Sequence, residues 1–241
     1  MLRWLAAAGR VVPALVAEAR DPSGGCRLLM EHIEGESLYD ADAQAAQAIA
    51  GDMHAIQRSA DIDALISLGV PDRRDLGSRL HRVAARYGDP ADAELRRLVE
   101  GLPQRLTRIV ECGLPDTLVH GDLHGGNVMA TPGGRRVIFD WGDCVIGNPG
   151  LDILRLTGPL PPDQAQALTE VWASWWRDAI PGADPLAAIR LLRPVQELFY
   201  AAVYADFVEA VEPTEHPYHR DDIDECLSRA AALAVSDPGS S

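Results

Sequence analysis

The residues best suited to chemistry in this chain lie in one short segment and at one position shortly after it. Residues 120–127 read His-Gly-Asp-Leu-His-Gly-Gly-Asn, and Asp140 follows thirteen positions after Asn127. A carboxylate such as Asp122 can orient a hydroxyl group and take its proton late in a transfer reaction. An amide and a second carboxylate supply the oxygen ligands that Mg²⁺ prefers. The spacing therefore predicts a phosphoryl-transfer site with Asp122 as base and with Asn127 and Asp140 holding the metal ion.

A β-hairpin between Asn127 and Asp140 would bring the two metal ligands together. Val128-Met129-Ala130 and Arg136-Val137-Ile138-Phe139 have the composition of short strands. The Pro-Gly-Gly sequence at 132–134 between them is a strong turn signal. Pairing of the two strands would place Asn127 and Asp140 at the same end of the hairpin.

The stretch from Leu118 to Leu154 resembles the aminoglycoside phosphotransferase and choline kinase family, a branch of the protein-kinase-like fold. Three segments carry the resemblance: His120-Gly121-Asp122-Leu123-His124-Gly125-Gly126-Asn127, Ile138-Phe139-Asp140-Trp141-Gly142-Asp143, and Gly147-Asn148-Pro149-Gly150-Leu151-Asp152-Ile153, which has isoleucine where the family has leucine. The protein-kinase catalytic loop has the same spacing, with a histidine two residues before the catalytic aspartate.

The resemblance implies roles for individual residues and for two cofactors. It implies that ATP is the phosphoryl donor, that Asp122 is the catalytic base with His120 beside it in the catalytic loop, and that Asn127 and Asp140 bind Mg²⁺. It further implies that Asp152 is structural and buried. Since a buried carboxylate needs partners, we expect Asp152 to accept hydrogen bonds from the catalytic loop, from backbone amides or from a histidine such as His120.

A weaker resemblance lies upstream, at residues 27–35. Arg27 to Gly35 is similar to the last strand of the small lobe and the hinge that follows it in this family. The resemblance implies that the hinge backbone near Met30, Glu31 and Ile33 binds the adenine edge, through a carbonyl near Glu31 and an amide near Ile33.

The residues before this hinge are few. A kinase-like site also uses a loop that covers the phosphates and a lysine on a strand, but the sequence contains no lysine, and all 22 basic residues are arginine. We therefore expect weak ATP binding and slow transfer, because losing one charge-stabilising group commonly costs about 10²–10³ in rate. Three explanations stay open: a start codon assigned too late, a truncated non-catalytic pseudokinase remnant, or a partner or rearranged segment that supplies the missing contacts.

Composition and charge exclude several classes of protein. The chain has 241 residues, a net charge of −14 and four cysteines without a CxxC pattern. The charge opposes nucleic-acid binding and is compatible with a cationic, hydroxylated small-molecule acceptor. No apolar run approaches the length of a membrane span, no secretory signal is evident, and the cysteines indicate reduced thiols. We expect a cytoplasmic protein, monomeric or homodimeric.

The remaining segments have mainly helical patterns. The predicted helices are 41–59 with Asp40 as N-cap, 75–87, 92–112, 164–179, 186–211 with a kink or break at Pro194, and 221–235. His54, near the end of the first, is interpreted as a packing residue. The resemblance places the acceptor between the catalytic loop and the C-terminal helices. The candidate acceptor contacts are Asp143, Glu197, Tyr200 and Tyr204, with Asp206 and Glu209 as further carboxylates.

Two interpretations compete with a kinase. In the first, His120, Asp122 and His124 form a metallohydrolase cluster, because residues two apart on an extended segment share a face. Zinc sites need more histidine or thiolate ligands, and the cluster leaves Asp140 unexplained. The second is the non-catalytic nucleotide-binding pseudokinase.

These observations together predict an α+β, protein-kinase-like fold. The expected domains are residues 1–34, a remnant of the nucleotide-binding lobe made of a helix and a β-hairpin, and residues 35–235, a mainly helical catalytic lobe carrying the catalytic hairpin. Residues 236–241 are expected to form a disordered tail.

Overall fold

The computed structural model describes residues 2–7, 11–21, 25–72 and 76–235. The helices in this part of the chain are α1 (Leu2–Ala7), α2 (Ala43–Arg58), α3 (Ile62–Ser67), α4 (Gly77–Tyr87), α5 (Ala93–Glu100), α6 (Leu102–Glu111), α7 (Gly150–Thr157), α8 (Pro162–Ala179), α9 (Pro185–Ala210) and α10 (His216–Val235). The strands are β1 (Leu15–Arg20), β2 (Cys26–Met30), β3 (Glu36–Ser37), β4 (Thr117–Val119), β5 (Val128–Ala130), β6 (Arg136–Ile138) and β7 (Val145–Gly147). The chain divides into two compact units, Met1–Asp72 with Thr117–Trp172, and Arg73–Asp116 with Ala173–Ser241.

The first unit contains the three small antiparallel sheets. Strands β1 and β2 form a hairpin, β3 pairs with β5, which also pairs with β6, and β4 pairs with β7. Helix α2 packs against β4 and α7. It begins at the N-cap Asp42, whose carboxylate accepts a hydrogen bond from the Ala45 amide at 2.8 Å, two residues after the predicted cap. The apolar side of α2, including Ile49 and Met53, is buried, so this helix supports the elements that carry the site.

The second unit is helical in its described residues. Helix α9 packs against α4, α6 and α10, and α10 also packs against α5. The α9 side chains Leu192, Val195 and Leu198 are almost completely buried. Arg79 of α4 lies over the Phe199 ring and donates a hydrogen bond to Asp206 at 2.6 Å. Apolar packing around α9 therefore holds this unit together.

Most predicted helices are present, with shifted ends. The predicted helix 92–112 is two helices, because Gly101 ends α5 and Pro103 lies in the first turn of α6. Helix α10 begins at His216, five residues earlier than predicted. The predicted helix and hairpin before the hinge are confirmed by α1 with β1 and β2. The predicted domain boundary near residue 34 remains a prediction, and the predicted tail 236–241 lies outside the described residues.

Helix α9 continues through Pro194, where a kink or break was predicted, and no break occurs. Proline removes one hydrogen bond donor, and its ring crowds the carbonyl four residues earlier. The buried Arg105 donates Nη1 to the Leu191 carbonyl at 3.2 Å, next to that position. Because neighbouring side chains of α9 on both sides of Pro194 are buried, tertiary packing outweighs the local cost.

Two further expectations concern membranes and thiols. No helix in the described part of the chain combines the length and the apolar composition that a bilayer span requires. Cys26, Cys112, Cys144 and Cys226 are all free thiols, as the absence of a disulfide pattern predicts.

His54 on α2 gives the fold a testable pH dependence. Burial, aided by the nearby Arg58, lowers the pKa of His54 to about 4. Below pH 6.5 the unfolded chain takes up a proton that the folded protein does not, so the free energy of unfolding falls as the pH drops toward 4. We expect His54→Asn to reduce that fall by about 1 kcal/mol at pH 5, allowing for partial solvent exposure. Urea unfolding of both proteins at pH 7 and at pH 5 measures this fall. An equal fall in the free energy of unfolding in the wild type and in His54→Asn would contradict the prediction.

Candidate active site

The segment 120–127 forms a loop between β4 and β5, and the predicted hairpin follows it. Val128 pairs with Ile138, and Ala130 pairs with Arg136. The turn is closed by Thr131, whose amide donates to the Arg135 carbonyl at 2.8 Å. Beyond the strands, the Phe139 amide donates to the Asn127 carbonyl at 3.0 Å. The loop and the segment that begins at Asp140 therefore emerge from the same end of the hairpin.

Asp122 lies half-buried in this loop, and both of its carboxylate oxygens have neighbours. Arg155 Nε donates to Oδ1 at 2.7 Å. On the other side, Asn127 Nδ2 donates to Oδ2 at 3.3 Å, and His124 Nε2 lies 3.4 Å from Oδ2. Burial alone raises the pKa of Asp122, but the Arg155 guanidinium and the two nearby histidines outweigh it and hold the pKa below its ordinary value. Asp122 is therefore an anion at neutral pH.

The hydrogen bonds of Asn127 fix the orientation of its amide. Its Nδ2 group donates to the Asp122 carbonyl at 2.9 Å as well as to the Asp122 carboxylate. Both partners are acceptors, so the nitrogen must face them and Oδ1 must face elsewhere. The side chain is 8% exposed. This orientation leaves the amide oxygen of Asn127 as the atom that can bind a cation.

His124 and His120 are each held by backbone groups. His124 Nδ1 accepts from the Gly126 amide at 3.1 Å, so the proton of the neutral ring lies on Nε2, toward Asp122. His120 Nδ1 accepts from the Asp122 amide at 3.3 Å, and Nε2 donates to the Phe139 carbonyl at 2.9 Å. His120 is completely buried, and burial lowers its pKa despite the opposing Phe139 hydrogen bond. The ring of His120 joins the 120–127 loop to the residue before Asp140.

Asp152, on α7, holds the start of the loop. It is 2% exposed. Oδ2 accepts from the His120 amide at 2.9 Å and from Gln57 Nε2 at 3.0 Å. Oδ1 accepts from the Gly121 amide at 3.2 Å. The expected bonding of a buried aspartate to the loop is therefore present, and its partner at His120 is the backbone amide rather than the ring.

Gly121 has a conformation and a position that a side chain would not tolerate. Its φ angle is +90°, in the left-handed region that favours glycine. A Cβ atom there would lie 2.2 Å from the Asp143 carbonyl oxygen. This clash explains why glycine precedes Asp122, because the loop passes directly against the segment that follows Asp140.

Asp140 is the non-glycine residue with positive φ, +59°, among the described residues. Aspartate is one of the few residue types that adopt this conformation readily. Trp141, which follows it, is buried, donates its indole N–H to the Ile138 carbonyl at 3.0 Å and packs on the His120 ring with centroids 4.6 Å apart. Trp141 therefore anchors the bend, while the Asp140 side chain is exposed to solvent.

Comparison with known proteins identifies the family. The family model described as the phosphotransferase enzyme family matches residues 1–188, more than half of the chain. The chain belongs to the phosphotransferase enzyme family. A comparison with curated protein sequences finds no match.

Solved structures of other phosphotransferases share the fold. The choline kinase LicA from Streptococcus pneumoniae has a TM-score of 0.69 and 16% identity, covering 98% of this chain and 78% of its own. The GDP complex of an aminoglycoside 2'-phosphotransferase-IIIa mutant has a TM-score of 0.64 and 19% identity, covering 100% and 81%. APH(3'')-Id from Streptomyces rimosus, solved with ADP and streptomycin, has a TM-score of 0.57 and 20% identity, covering 84% and 79%. These likenesses confirm the predicted protein-kinase-like fold.

The segment predicted as the hinge begins at the end of β2. The Glu31 amide donates to the Ala14 carbonyl at 2.8 Å. The Glu31 carboxylate accepts from the Ala14 amide at 3.1 Å and from Arg135 at 2.6 Å. These hydrogen bonds, led by the Ala14 amide, lower the pKa of Glu31. Met30 ends β2 and is exposed, like its neighbours in that strand. The Glu31 side chain ties the residue after β2 to Ala14, next to β1, and to Arg135 in the turn of the β5–β6 hairpin.

The candidate acceptor contacts lie in both units. Asp143 is an exposed residue of the first unit, directly after the Asp140 bend. Glu197, Tyr200 and Tyr204 lie on α9 of the second unit and are half-buried. Glu197 accepts a hydrogen bond from Arg229 at 2.9 Å. The two further carboxylates, Asp206 and Glu209, form ion pairs with Arg79 and Arg86.

The metallohydrolase interpretation receives no support in the described residues. No group of three or more histidine, cysteine, aspartate or glutamate side chains in that part of the chain could hold a metal ion. Both ring nitrogens of His120 are already bonded to backbone groups. A pair made of an amide oxygen and a carboxylate, as at Asn127 and Asp140, is of the type that suits Mg²⁺ rather than zinc.

Two residues of the site were not found from the sequence. Gln57 supports Asp152 from 95 positions away, and Arg155 contacts Asp122 from 33 positions away. Arginine occurs 22 times in the chain, so its type alone carries no signal. The usable signal was the helical spacing of Asp152 and Arg155, which places both on one side of α7.

Proposed function

We propose that this phosphotransferase moves the γ-phosphate of ATP to a hydroxyl group of a small molecule. The observation that carries the proposal is the joint placement of Asp122, Asn127 and Asp140. Asp122 and Asn127 are hydrogen-bonded to each other, and the hairpin register brings Asp140 to the same end. Phosphoryl transfer uses one base and two oxygen ligands for a cation, and these three residues supply those groups from one end of the hairpin.

Asp122 acts as the base in this proposal. Its ionised carboxylate orients the acceptor hydroxyl and takes its proton as the bond to phosphorus forms. Since Arg155 occupies Oδ1 at 2.7 Å, Oδ2 is the atom that receives the proton. His120 stays beside the base in this proposal, and its buried ring, bonded to the Asp122 amide and the Phe139 carbonyl, would position the loop.

The donor atoms present fit a magnesium ion. Asn127 would bind it through Oδ1, the oxygen that its own hydrogen bonds leave available, and Asp140 through its exposed carboxylate. Magnesium usually takes one or two protein ligands together with phosphate oxygens and water. The ion would neutralise negative charge on the phosphates of ATP. Asn127 directly precedes β5 and Asp140 follows β6, so both proposed ligands belong to the same end of the β5–β6 hairpin.

The hinge would bind the adenine of ATP through the Glu31 carbonyl and the Ile33 amide, beside Met30. Solved relatives bind GDP, ADP and AMP, which supports a nucleotide donor. For the acceptor we propose a hydroxylated and cationic small molecule, with the exposed Asp143 as a candidate contact in the first unit. The net charge of −14 favours such a molecule, and relatives include a choline kinase and enzymes solved with streptomycin and hygromycin B. We expect this protein to act in the cytoplasm, as a monomer or homodimer.

A second candidate is a nucleotide-binding protein without turnover. The observation that favours it is the complete lack of lysine in the 241 residues, since kinases pair a lysine with the phosphates of ATP. In that case the protein binds Mg-ATP but releases no ADP.

A coupled ADP-release assay with a broad set of hydroxylated acceptors, run beside a thermal-shift titration with Mg-ATP, separates the two candidates. Acceptor-dependent ADP release supports the transferase, and we expect a turnover below about 1 s⁻¹, the lower end of the kinase range. A thermal shift without ADP release supports the second candidate. The absence of both would contradict both candidates.

Asp140→Asn tests the metal ligands. Replacing the carboxylate with an amide removes a charged ligand while keeping the shape, so we expect the Mg²⁺ concentration for half-maximal thermal shift with ATP to rise by about 10-fold or more. Asp163→Asn, an exposed carboxylate in the first turn of α8, is the matched control and should leave it unchanged. An unchanged Mg²⁺ dependence in Asp140→Asn would contradict the assignment of Asp140.

A further inference from the structure

Helix α7 holds three consecutive residues of the catalytic loop through two side chains on one side of the helix. Asp152 accepts hydrogen bonds from the amides of His120 and Gly121. Arg155, one turn later, donates Nε to the Asp122 carboxylate at 2.7 Å. The first contact fixes the backbone of the loop, and the second fixes the side chain of the base.

The helix is itself a rigid support. Leu151, Ile153 and Leu156 of α7 are buried, and α7 packs against α2. The Gln57 side chain of α2 donates a hydrogen bond to the same Asp152 carboxylate at 3.0 Å. The backbone carbonyl of Gln57 accepts a hydrogen bond from the Thr117 hydroxyl of β4. A side chain projecting from such an element is held more closely than one on a loop.

The contacts on the two oxygens of Asp122 differ in strength. Oδ1 has a short, charge-assisted hydrogen bond from Arg155. Oδ2 has two long contacts, from Asn127 at 3.3 Å and from His124 at 3.4 Å. The strong contact determines the rotation of the carboxylate, and the weakly bonded Oδ2 keeps the capacity to accept a further proton.

We propose that Arg155 is a positioning residue that holds Asp122 Oδ1 and thereby presents Oδ2 to the acceptor hydroxyl. The inference rests on the proposed function. A cation beside the carboxylate also makes it a weaker base, which opposes catalysis. Positioning outweighs basicity here, because the proton moves late in a loose phosphoryl-transfer transition state, whereas a misplacement of about 1 Å costs about 10²-fold in rate.

Kinetics of Arg155→Gln test the proposal. We expect kcat to fall by about 10–100-fold, with KM for ATP and for the acceptor changed less than about 3-fold, because Arg155 acts on the base and binds neither substrate. Arg155→Lys, which keeps a charge that can reach one oxygen, should retain more activity than the glutamine variant. Added guanidinium should restore part of the kcat of Arg155→Ala.

Arg136→Gln is the matched control. Arg136 makes two hydrogen bonds to Asp52, at 2.6 and 3.1 Å, and its side chain is 32% exposed, compared with 38% for Arg155. Arg136→Gln should keep the wild-type kcat, and added guanidinium should not raise the activity of Arg136→Ala. If Arg155→Gln keeps wild-type kcat, or if guanidinium rescues both alanine variants equally, the proposal is overturned.

A second measurement does not depend on turnover. In a crystal structure of Arg155→Gln, the Asp122 carboxylate should occupy a second rotamer, while in Arg136→Gln it should keep the wild-type one. If the wild-type protein transfers no phosphate to any acceptor, the proposed function fails, and this comparison still decides whether Arg155 positions Asp122. An unchanged carboxylate in Arg155→Gln would contradict the positioning role.

Discussion

Replacing Asp122 with asparagine should lower the turnover number by about 10²–10⁴-fold, the range that a positioned general base contributes. The amide keeps the size of the side chain, and it can still accept from Arg155 or from Asn127 through its oxygen. It cannot take the proton of the acceptor. Because the proposed role of Asp122 is at the acceptor and not at the adenine, we expect the affinity for Mg-ATP to change little.

The rate of ADP release with one chosen acceptor measures the loss of turnover, and a thermal-shift titration with Mg-ATP measures the affinity for the nucleotide. Asp163→Asn serves as the control for a carboxylate far along the chain from the loop and should keep both values. An Asp122→Asn protein with turnover within about 3-fold of the wild type would exclude Asp122 as the base.

Replacing Asp152 with alanine should destabilise the protein by about 3–5 kcal/mol. The change leaves three buried donors without their acceptor: the amides of His120 and Gly121 and the Gln57 side chain. For a chain of this size the melting temperature should fall by about 10 °C. Gln57→Ala, which removes only one of the three donors, should cost about 1 kcal/mol.

Urea unfolding at neutral pH measures these values. The control is Asp52→Ala, which breaks the Asp52–Arg136 ion pair at a partly exposed position and should cost no more than about 1 kcal/mol. Equal losses in Asp152→Ala and Asp52→Ala would mean that the buried carboxylate is not the support of the loop that its three hydrogen bonds indicate.

The sequence predicted the local geometry of the site because its signals are local. Asn127 and Asp140 flank two short strands with Pro-Gly-Gly between them, and a hairpin is the usual outcome of that pattern. The observed pairing of Val128 with Ile138 follows it. Asp152 was predicted from the family resemblance, and its burial and its bonds to the loop are present.

Other features depend on contacts that no local pattern encodes. Arg155 and Gln57 reach the site only through the packing of α7 on α2. The left-handed conformation of Asp140 depends on the buried Trp141 and its bond to Ile138. Helix α9 passes through Pro194 because its neighbours are buried on both sides. By contrast, the division at Gly101 and Pro103 had a clear signal in the sequence, which the prediction of one helix over 92–112 overlooked.

A crystal structure with Mg²⁺ and a non-hydrolysable ATP analogue tests the central claim most directly. We expect a cation bound to the Asn127 amide oxygen and an Asp140 carboxylate oxygen at about 2.0–2.1 Å, with the terminal phosphate facing Asp122. A nucleotide and cation bound away from these three side chains would contradict the assignment of this loop as a phosphoryl-transfer site.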